Sequence, residues 1–456
     1  MSLRDSIKSI YFRSIRRSAA ANFPWLAAVL LLPVLKTVKP ARTEDARTVV
    51  ILPKEGFAED VMAALADADR LMVVTLPRVV VKLMAAPFLP YFIDDNNYLS
   101  SGAEYDAAKQ RYRRFLLSVF KALMRIVRVD AMITGNFSYA SERELAAAMQ
   151  ELGVPFIAMH KENLKTPGRV AFFERLYRER RGPFTGRKIL VYNEIERDLQ
   201  IRAGVVEESR ITITGMPRLD RMHAWRRAHA GEATPNRVLF FVFSSATGMP
   251  RVPRKGLEGG HWFEDEETEE GDVSLARLSK GVCQAVLRVA MDNPDIEVVV
   301  KSKGRKRDFT ETAALFGVAT EAELPPNMRV VHGGDVLDLI AEASVICGFN
   351  STALLEAVAA GKPVVVPWFA EAEQPNVLPY LIDLRTIGVT VSSPEDMQKE
   401  LVRQARAPRP VPAELDVESM KTLAAWTGND DGGAALRARA AIVEEMTPAL
   451  SVGGQT

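Results

Sequence analysis

The sequence predicts an α/β protein of two doubly wound domains facing each other across a cleft, and three observations carry that prediction. The chain has 456 residues, 47% of them hydrophobic, whereas single cores stop growing at about 250 to 300 residues, so two cores are expected. From residue 45 onward, short β-branched runs alternate with helical stretches, the pattern of parallel sheets wrapped by helices. That alternation falls into two blocks separated by Ala230 to Asn236, an aperiodic stretch of Gly, Thr and Pro that reads as a connector. No repeat of solenoid length is present, which excludes an array.

The first 42 residues form a basic end, with Arg4, Lys8, Arg13, Arg16, Arg17, Lys36, Lys39 and Arg42 opposed by Asp5. Leu3, Ile7, Ile10, Tyr11 and Ile15 recur at helical spacing, which places an apolar stripe beside cations as interfacial helices do. The apolar run Trp25 to Leu35 is far shorter than the ~20 residues that span a bilayer. Residues 1–45 are therefore expected to form an amphipathic segment lying on a membrane surface. The alternatives are a helix packed on the protein's own surface and a secretory signal, although no clear cleavage site follows.

In the first domain, residues 46–229, strands are expected at Thr48–Leu52, Leu71–Thr75, Ala131–Thr134, Pro155–Ala158, Ile189–Tyr192 and Ile211–Thr214. A helix is expected from Ser141 to Leu152, with Ser141 as its cap, Glu144 returning to the cap and Gly153 at its end. Leu76 to Phe92 is unusually apolar. Its run Val79-Val80-Val81 suits a buried parallel strand, and a lipidic acceptor site is the competing reading.

In the second domain, residues 236–410, strands are expected at Val238–Phe243, Ile296–Val300, Met328–Val331, Ser344–Cys347, Pro363–Val366 and Gly388–Val391. The insertion Thr247–Asp272 begins basic and ends acidic, so it cannot enter a core and reads as a solvated loop or a lid. Residues 411–456 are expected to form a closing helix, to about Met446, and a tail.

Composition narrows the function. Net charge is +1, from 59 basic and 58 acidic residues, so no global field draws nucleic acid. Two cysteines, Cys283 and Cys347, support neither a disulfide framework nor a zinc site, which fits a reducing cytoplasm. P-loop and HExxH motifs are absent, and the Asp67-Ala-Asp69 spacing falls at a helix end. No metal and no cofactor is expected.

The segment Cys347 to Val366 carries the strongest chemical signal. A strand ends at Gly348, which lets backbone approach a ligand, and Asn350, Ser351 and Thr352 open a helix. Free N–H groups and the helix dipole favour phosphate there. Glu356 lies one turn on, where its carboxylate could accept from ribose hydroxyls. The structural alternative is an ordinary helix cap. The segment resembles the donor-binding element of GT-B glycosyltransferases, especially capsule polysaccharide and CDP-glycerol transferase relatives, and that of UDP-N-acetylglucosamine 2-epimerases. Ile211 to Asp220 resembles the strand and turn leading into the interdomain linker of these families, with Arg218 and Asp220 either pairing with one another or capping, or else meeting ligand. Trp426 to Arg437 resembles their closing segment, whose helix often crosses back onto the first domain. The likeness runs over roughly residues 130 to 445.

This resemblance implies a GT-B fold and a glycosyltransferase that uses a nucleotide-sugar donor and a surface-glycan or lipid-linked acceptor, without a divalent ion; with the basic N-terminal segment, the expected place is the cytoplasm, peripheral on the inner face of the membrane. Transfer of a CDP-alcohol such as CDP-glycerol, 2-epimerisation of a UDP-sugar, and an inactive glycan-binding protein are the rival readings. Ser244 and Ser245, Lys301, and Gly334 next to Asp335 lie on further loops expected to meet the donor, the alternative for Gly334 and Asp335 being simply the start of a helix. Lys301 resembles the basic residue that would offset diphosphate charge, and Arg305, Lys306 and Arg307 extend that patch or are simply solvated. On the acceptor side, a base must take the hydroxyl proton. Candidates are Glu55, His160 and Glu162, the latter two in a His-Lys-Glu element that resembles one found in surface-glycan enzymes.

Overall fold

The computed structural model describes residues 3–54, 56–245, 247–248, 274–302 and 309–446. Among these, thirteen strands fall into two sheets. The first contains β1 (Lys36–Lys39), β2 (Arg47–Ile51), β3 (Leu71–Thr75), β4 (Ala131–Thr134), β5 (Phe156–Met159), β6 (Lys188–Val191) and β7 (Ile211–Ile213), in the order β1-β3-β2-β4-β5-β6-β7. The second contains β8 (Arg237–Phe241), β9 (Glu297–Ser302), β10 (Met328–His332), β11 (Val345–Gly348), β12 (Val364–Pro367) and β13 (Val389–Val391), in the order β10-β9-β8-β11-β12-β13. Every pairing is parallel except β1 with β3.

This is the expected fold class, two parallel-sheet domains wrapped by helices. The strands β4, β5, β6, β11 and β12 are buried along their whole length, as strands covered on both faces must be. That double burial is why they read as unbroken apolar runs.

Several local expectations are corrected. Val79-Val80-Val81 lies in a helix, Arg78–Ala85, entered after Pro77, because proline pre-sets the first turn and Val80, Val81 and Met84 then share one buried face. The helix Ala140–Glu151 is capped by Tyr139 without a side-chain bond. Glu144 turns away from the cap, accepting from Arg113 Nε at 2.6 Å and from Tyr98 Oη at 2.6 Å. The described part of the 1–45 segment packs on the first domain, the alternative weighed against a membrane surface. Ile15, Ala27, Ala28 and Leu31 are buried in the first core, and β1 adds an antiparallel edge to the first sheet. Most of the 247–272 insertion lies outside the described residues.

The C-terminal helix Ala434–Met446 crosses back onto the first domain, where Ala438, Ala441 and Ile442 join Val49, Ile51, Phe57, Ile133, Ile157 and Leu190 in one buried cluster. Asp220 starts this helix by accepting from the backbone of Ala434 and Ala435 at 3.1 and 2.8 Å. It therefore does not pair with Arg218.

Candidate functional site

In a doubly wound sheet, ligands bind at the carboxyl edge where the strand order reverses. The chain leaves β8 toward β9 and β10, then returns to β11, so the second sheet reverses between β8 and β11. Ser244 and Ser245 follow β8, and Phe349 to Thr352 follow β11, so these loops flank the crevice. In the first sheet the reversal lies between β2 and β4. Lys54 follows β2 and Tyr139 follows β4, with Lys54 Nζ 4.7 Å from the centre of the Tyr139 ring. A separate cavity of about 840 Å³, lined by Arg47, Leu71, Arg439 and Met446 among others, opens at the amino edge of β2 and β3. It lies at the opposite edge from the strand ends where doubly wound sheets bind ligands.

On the second domain, Ser351 caps the helix Thr352–Ala359, its side chain accepting from Ala353 N. Asn350 occupies the left-handed region, φ 50°, which asparagine tolerates better than most residues. Its amide donates to Tyr380 O at 3.0 Å and Thr247 O at 3.3 Å and accepts from Ile382 N at 3.0 Å. Asn350 is thus a clamp for neighbouring loops. Glu356 is buried and accepts from Arg218 Nε at 3.3 Å. Burial raises its carboxyl above the usual range although Arg218 opposes the shift. Ser244 and Ser245 are exposed, and Lys301, at the end of β9, is half-buried. Gly334 precedes a short helix whose cap, Asp335, accepts from Leu337 N at 2.8 Å and from both terminal nitrogens of Arg221 at 2.6 Å. Arg305, Lys306 and Arg307 lie outside the described residues, as does Glu55.

On the first domain, His160 is wholly buried at 0% exposure. Its Nε2 lies 3.1 Å from Glu196 Oε1, and its ring packs 5.4 Å from that of Phe137. The imidazole is thus closed off from solvent in this structure. Glu162 is different, with 40% of its side chain exposed. Burial would raise its carboxyl, but Arg181, His160, Lys165 and Lys161 outweigh it and hold it at about 2.

Glu196, Lys165, Asp60 and Tyr192, which sequence reasoning missed, and Arg218, which it named, complete the arrangement. Glu196 is fully buried, and although burial opposes it, Lys165, His160 and Gln200 hold it at about 2. Burial also brings Lys165 down to about 8 against the pull of Glu196. Arg218 donates to Asp60 through its backbone N at 3.0 Å and its Nη1 at 2.8 Å, and its Nη1 also reaches Tyr192 Oη at 3.1 Å. Tyr192 Oη in turn donates to Asp60. With Glu356, this network joins the first domain to the second. No spacing in the sequence marks these partners, since each comes from a different element.

The two loops of interest approach each other across the domains. Gly168, in the first turn of the helix Pro167–Leu176, has no side chain, and a Cβ there would stand 2.7 Å from the Tyr380 ring. Tyr380 is the residue whose carbonyl Asn350 holds. The His160 to Thr166 loop and the Ser351 cap are therefore linked through one tyrosine.

No protein-family model matches the chain, and no curated protein does. Among solved structures, the chain is similar to the wall teichoic acid polymerase TagF, at 10% identity over 98% of each chain, TM-score 0.48. It is also similar to the UDP-GlcNAc 2-epimerase of Neisseria meningitidis bound to UDP-GlcNAc, at 11% identity over 88% of this chain and 99% of that one, TM-score 0.46. A third is the glycotransferase of kitacinnamycin, at 16% identity over 89% and 100%, TM-score 0.44.

Proposed function

We propose that this chain is a glycosyltransferase whose second domain holds a nucleotide-activated sugar and whose first domain presents a surface-glycan or lipid-linked acceptor. The observation that carries this reading is the capped helix Thr352–Ala359 at the strand-order reversal of the second sheet. A helix start at that edge offers backbone N–H groups and a positive dipole end to a diphosphate. In this reading Thr352 and the Ser244-Ser245 loop flank the phosphates, and Lys301 offsets the charge of the departing nucleotide. No further cofactor takes part and no divalent ion is called on. Asn350, Gly334 and Glu356 act by shaping loops and, for Glu356, by fixing Arg218.

Among the base candidates, exposure favours Glu162 over His160. A carboxylate held near 2 is a weak proton acceptor, so Glu162 is better suited to orienting the acceptor hydroxyl and stabilising developing positive charge than to full proton removal.

The membrane belongs to this proposal as well. No helix among the described residues is long and apolar enough to cross a bilayer. Phe23, in the turn after the helix Leu3–Ala20, and Trp25 and Leu26, at the start of the helix Pro24–Leu31, are nevertheless exposed, the first two at 60% and 64%, and the first helix exposes Arg13, Arg16 and Arg17. Exposed aromatic side chains on a basic segment suit an anionic lipid surface, and this supports a seat on the cytoplasmic face of the membrane.

The test is a thermal unfolding panel with CMP-, CDP-, UDP- and GDP-linked sugars and CDP-glycerol, because a ligand that binds the native state raises its melting temperature. One nucleotide sugar should stabilise wild type and lose that effect in Ser351→Ala/Thr352→Ala. Stabilisation by CDP-glycerol alone would replace glycosyl transfer with phosphoalcohol transfer. If no nucleotide stabilises at millimolar concentration, the donor site is misplaced.

A further inference from the structure

The first domain carries an unusual concentration of cations around one ring. Lys165 Nζ, Arg169 Cζ and Arg181 Cζ lie 4.2, 5.0 and 5.9 Å from the centre of the Phe173 ring. Two carboxylates stand near them, Glu162 and Glu196. Glu196 is already engaged by His160 at 3.1 Å and Lys165 at 3.5 Å. Glu162 Oε2 is 4.0 Å from Arg181 Nη1, too far for a hydrogen bond. Three cations gathered in a buried place repel one another unless further negative charge arrives.

The same place holds donors with nothing to donate to. Thr166 is 1% exposed and caps the helix Pro167–Leu176, yet its hydroxyl makes neither a cap bond nor any other hydrogen bond. Arg181 is 6% exposed, with Nε and Nη2 on Asn96 and Nη1 without a hydrogen bond. Arg169 Nε is also buried and unpartnered. Leaving a buried donor unsatisfied is costly, and these donors surround a helix start, where the backbone itself favours an anion. Planar guanidinium groups match phosphate oxygens in pairs.

This helix start abuts Tyr380 of the second domain, so the cluster faces the cleft, while Glu162 keeps it open to solvent. It belongs to the first sheet and is separate from the Ser351 cap. We propose that the acceptor is itself a phosphate or diphosphate ester, and that Thr166, Arg169 and Arg181 bind its phosphate on the first domain's side of the cleft. This rests on the glycosyl-transfer reading above and supplies the acceptor class that it lacks.

The experiment is a calorimetric titration with inorganic pyrophosphate. Wild type should bind at two sites. Ser351→Ala/Thr352→Ala should remove one of them and leave the other. Arg169→Gln/Thr166→Val should weaken that second site at least tenfold, with Arg169→Lys recovering most of the loss. Arg169 is half-buried and Thr166→Val is nearly isosteric, so both variants should fold. Thermal melts verify this, and the Arg169→Gln single variant serves if the double does not. If pyrophosphate binds once and Ser351→Ala/Thr352→Ala abolishes that binding, the acceptor proposal fails and the donor assignment stands. If the site at Arg169 persists while the Ser351 variant changes nothing, the donor assignment fails instead. An absence of any binding overturns the acceptor proposal. Competition by geranyl diphosphate at lower concentration than glucose 1-phosphate would identify a lipid headgroup, and the reverse order a soluble sugar phosphate.

Discussion

Arg218 lies just past the last strand of the first sheet and is held by Asp60, Tyr192 and Glu356. Removing its guanidinium strands two buried carboxylates, and losses of about 3 to 5 kcal/mol are typical when one partner of a buried pair is deleted. Arg218→Met is expected to lose that much in urea unfolding. The loss should have a pH signature. Burial already raises the folded-state value of Glu356 above its unfolded one, and without Arg218 it rises further. The native state then binds more protons than the unfolded state, so the variant should lose more stability at pH 8 than at pH 4.5. Glu196 behaves in the opposite sense. Its folded value of about 2 is depressed from 4.5, so its contribution is full above the unfolded value and disappears as pH falls from there toward 2. Glu196→Gln should destabilise the protein at pH 7 by several kcal/mol and flatten the stability curve through that acid window, which urea unfolding at a series of pH values would read. Neither role was legible in the sequence. A carboxylate four residues after a helix-opening threonine reads as a ligand for ribose, and a histidine in a loop reads as a base. What the structure adds is a partner more than thirty residues away in each case, Arg218 for Glu356 and Glu196 for His160.

At the scale of elements the sequence was far more readable. The twelve parallel-sheet strands lie within two or three residues of their expected bounds, because buried parallel strands must be continuously apolar. The edge strand Lys36–Lys39 escaped notice for the complementary reason. Three of its four residues are exposed, so nothing in its pattern separates it from a loop. Local runs were misleading where the helix Arg78–Ala85 places valines on a buried face, a tertiary demand that outweighs β-propensity. Turns between elements carry their own constraints. Gly428 ends the helix Val417–Thr427 in the left-handed region, and a Cβ there would stand 1.8 Å from the carbonyl oxygen of Tyr192. Gly428→Ala must therefore displace backbone in the first domain as well as strain its own. A loss of about 2 kcal/mol or more is expected, measurable as a fall of several degrees in melting temperature, with the C-terminal helix becoming the first region to exchange its amide hydrogens.

For the molecule as a whole, the exposed turn between the first two helices makes its own prediction. Phe23→Ser/Trp25→Ser should abolish cosedimentation with vesicles containing anionic lipid, while leaving the melting temperature within about 2 °C, because both side chains already face solvent. Binding of wild type should weaken with salt as the cations are screened. Unchanged sedimentation of the variant would mean that this face packs against something other than lipid. The course of the final helix has a different consequence, one of timing. Ala438, Ala441 and Ile442 cover strands laid down before residue 200, so the first domain cannot close its core while the second is still being made. At the usual rates of synthesis that interval is on the order of tens of seconds. Throughout it, the part of the apolar face of β2, β4, β5 and β6 that the final helix covers must wait exposed on the nascent chain, which makes it the natural point of chaperone attachment. A chain that stops before residue 434 would be left permanently in that condition.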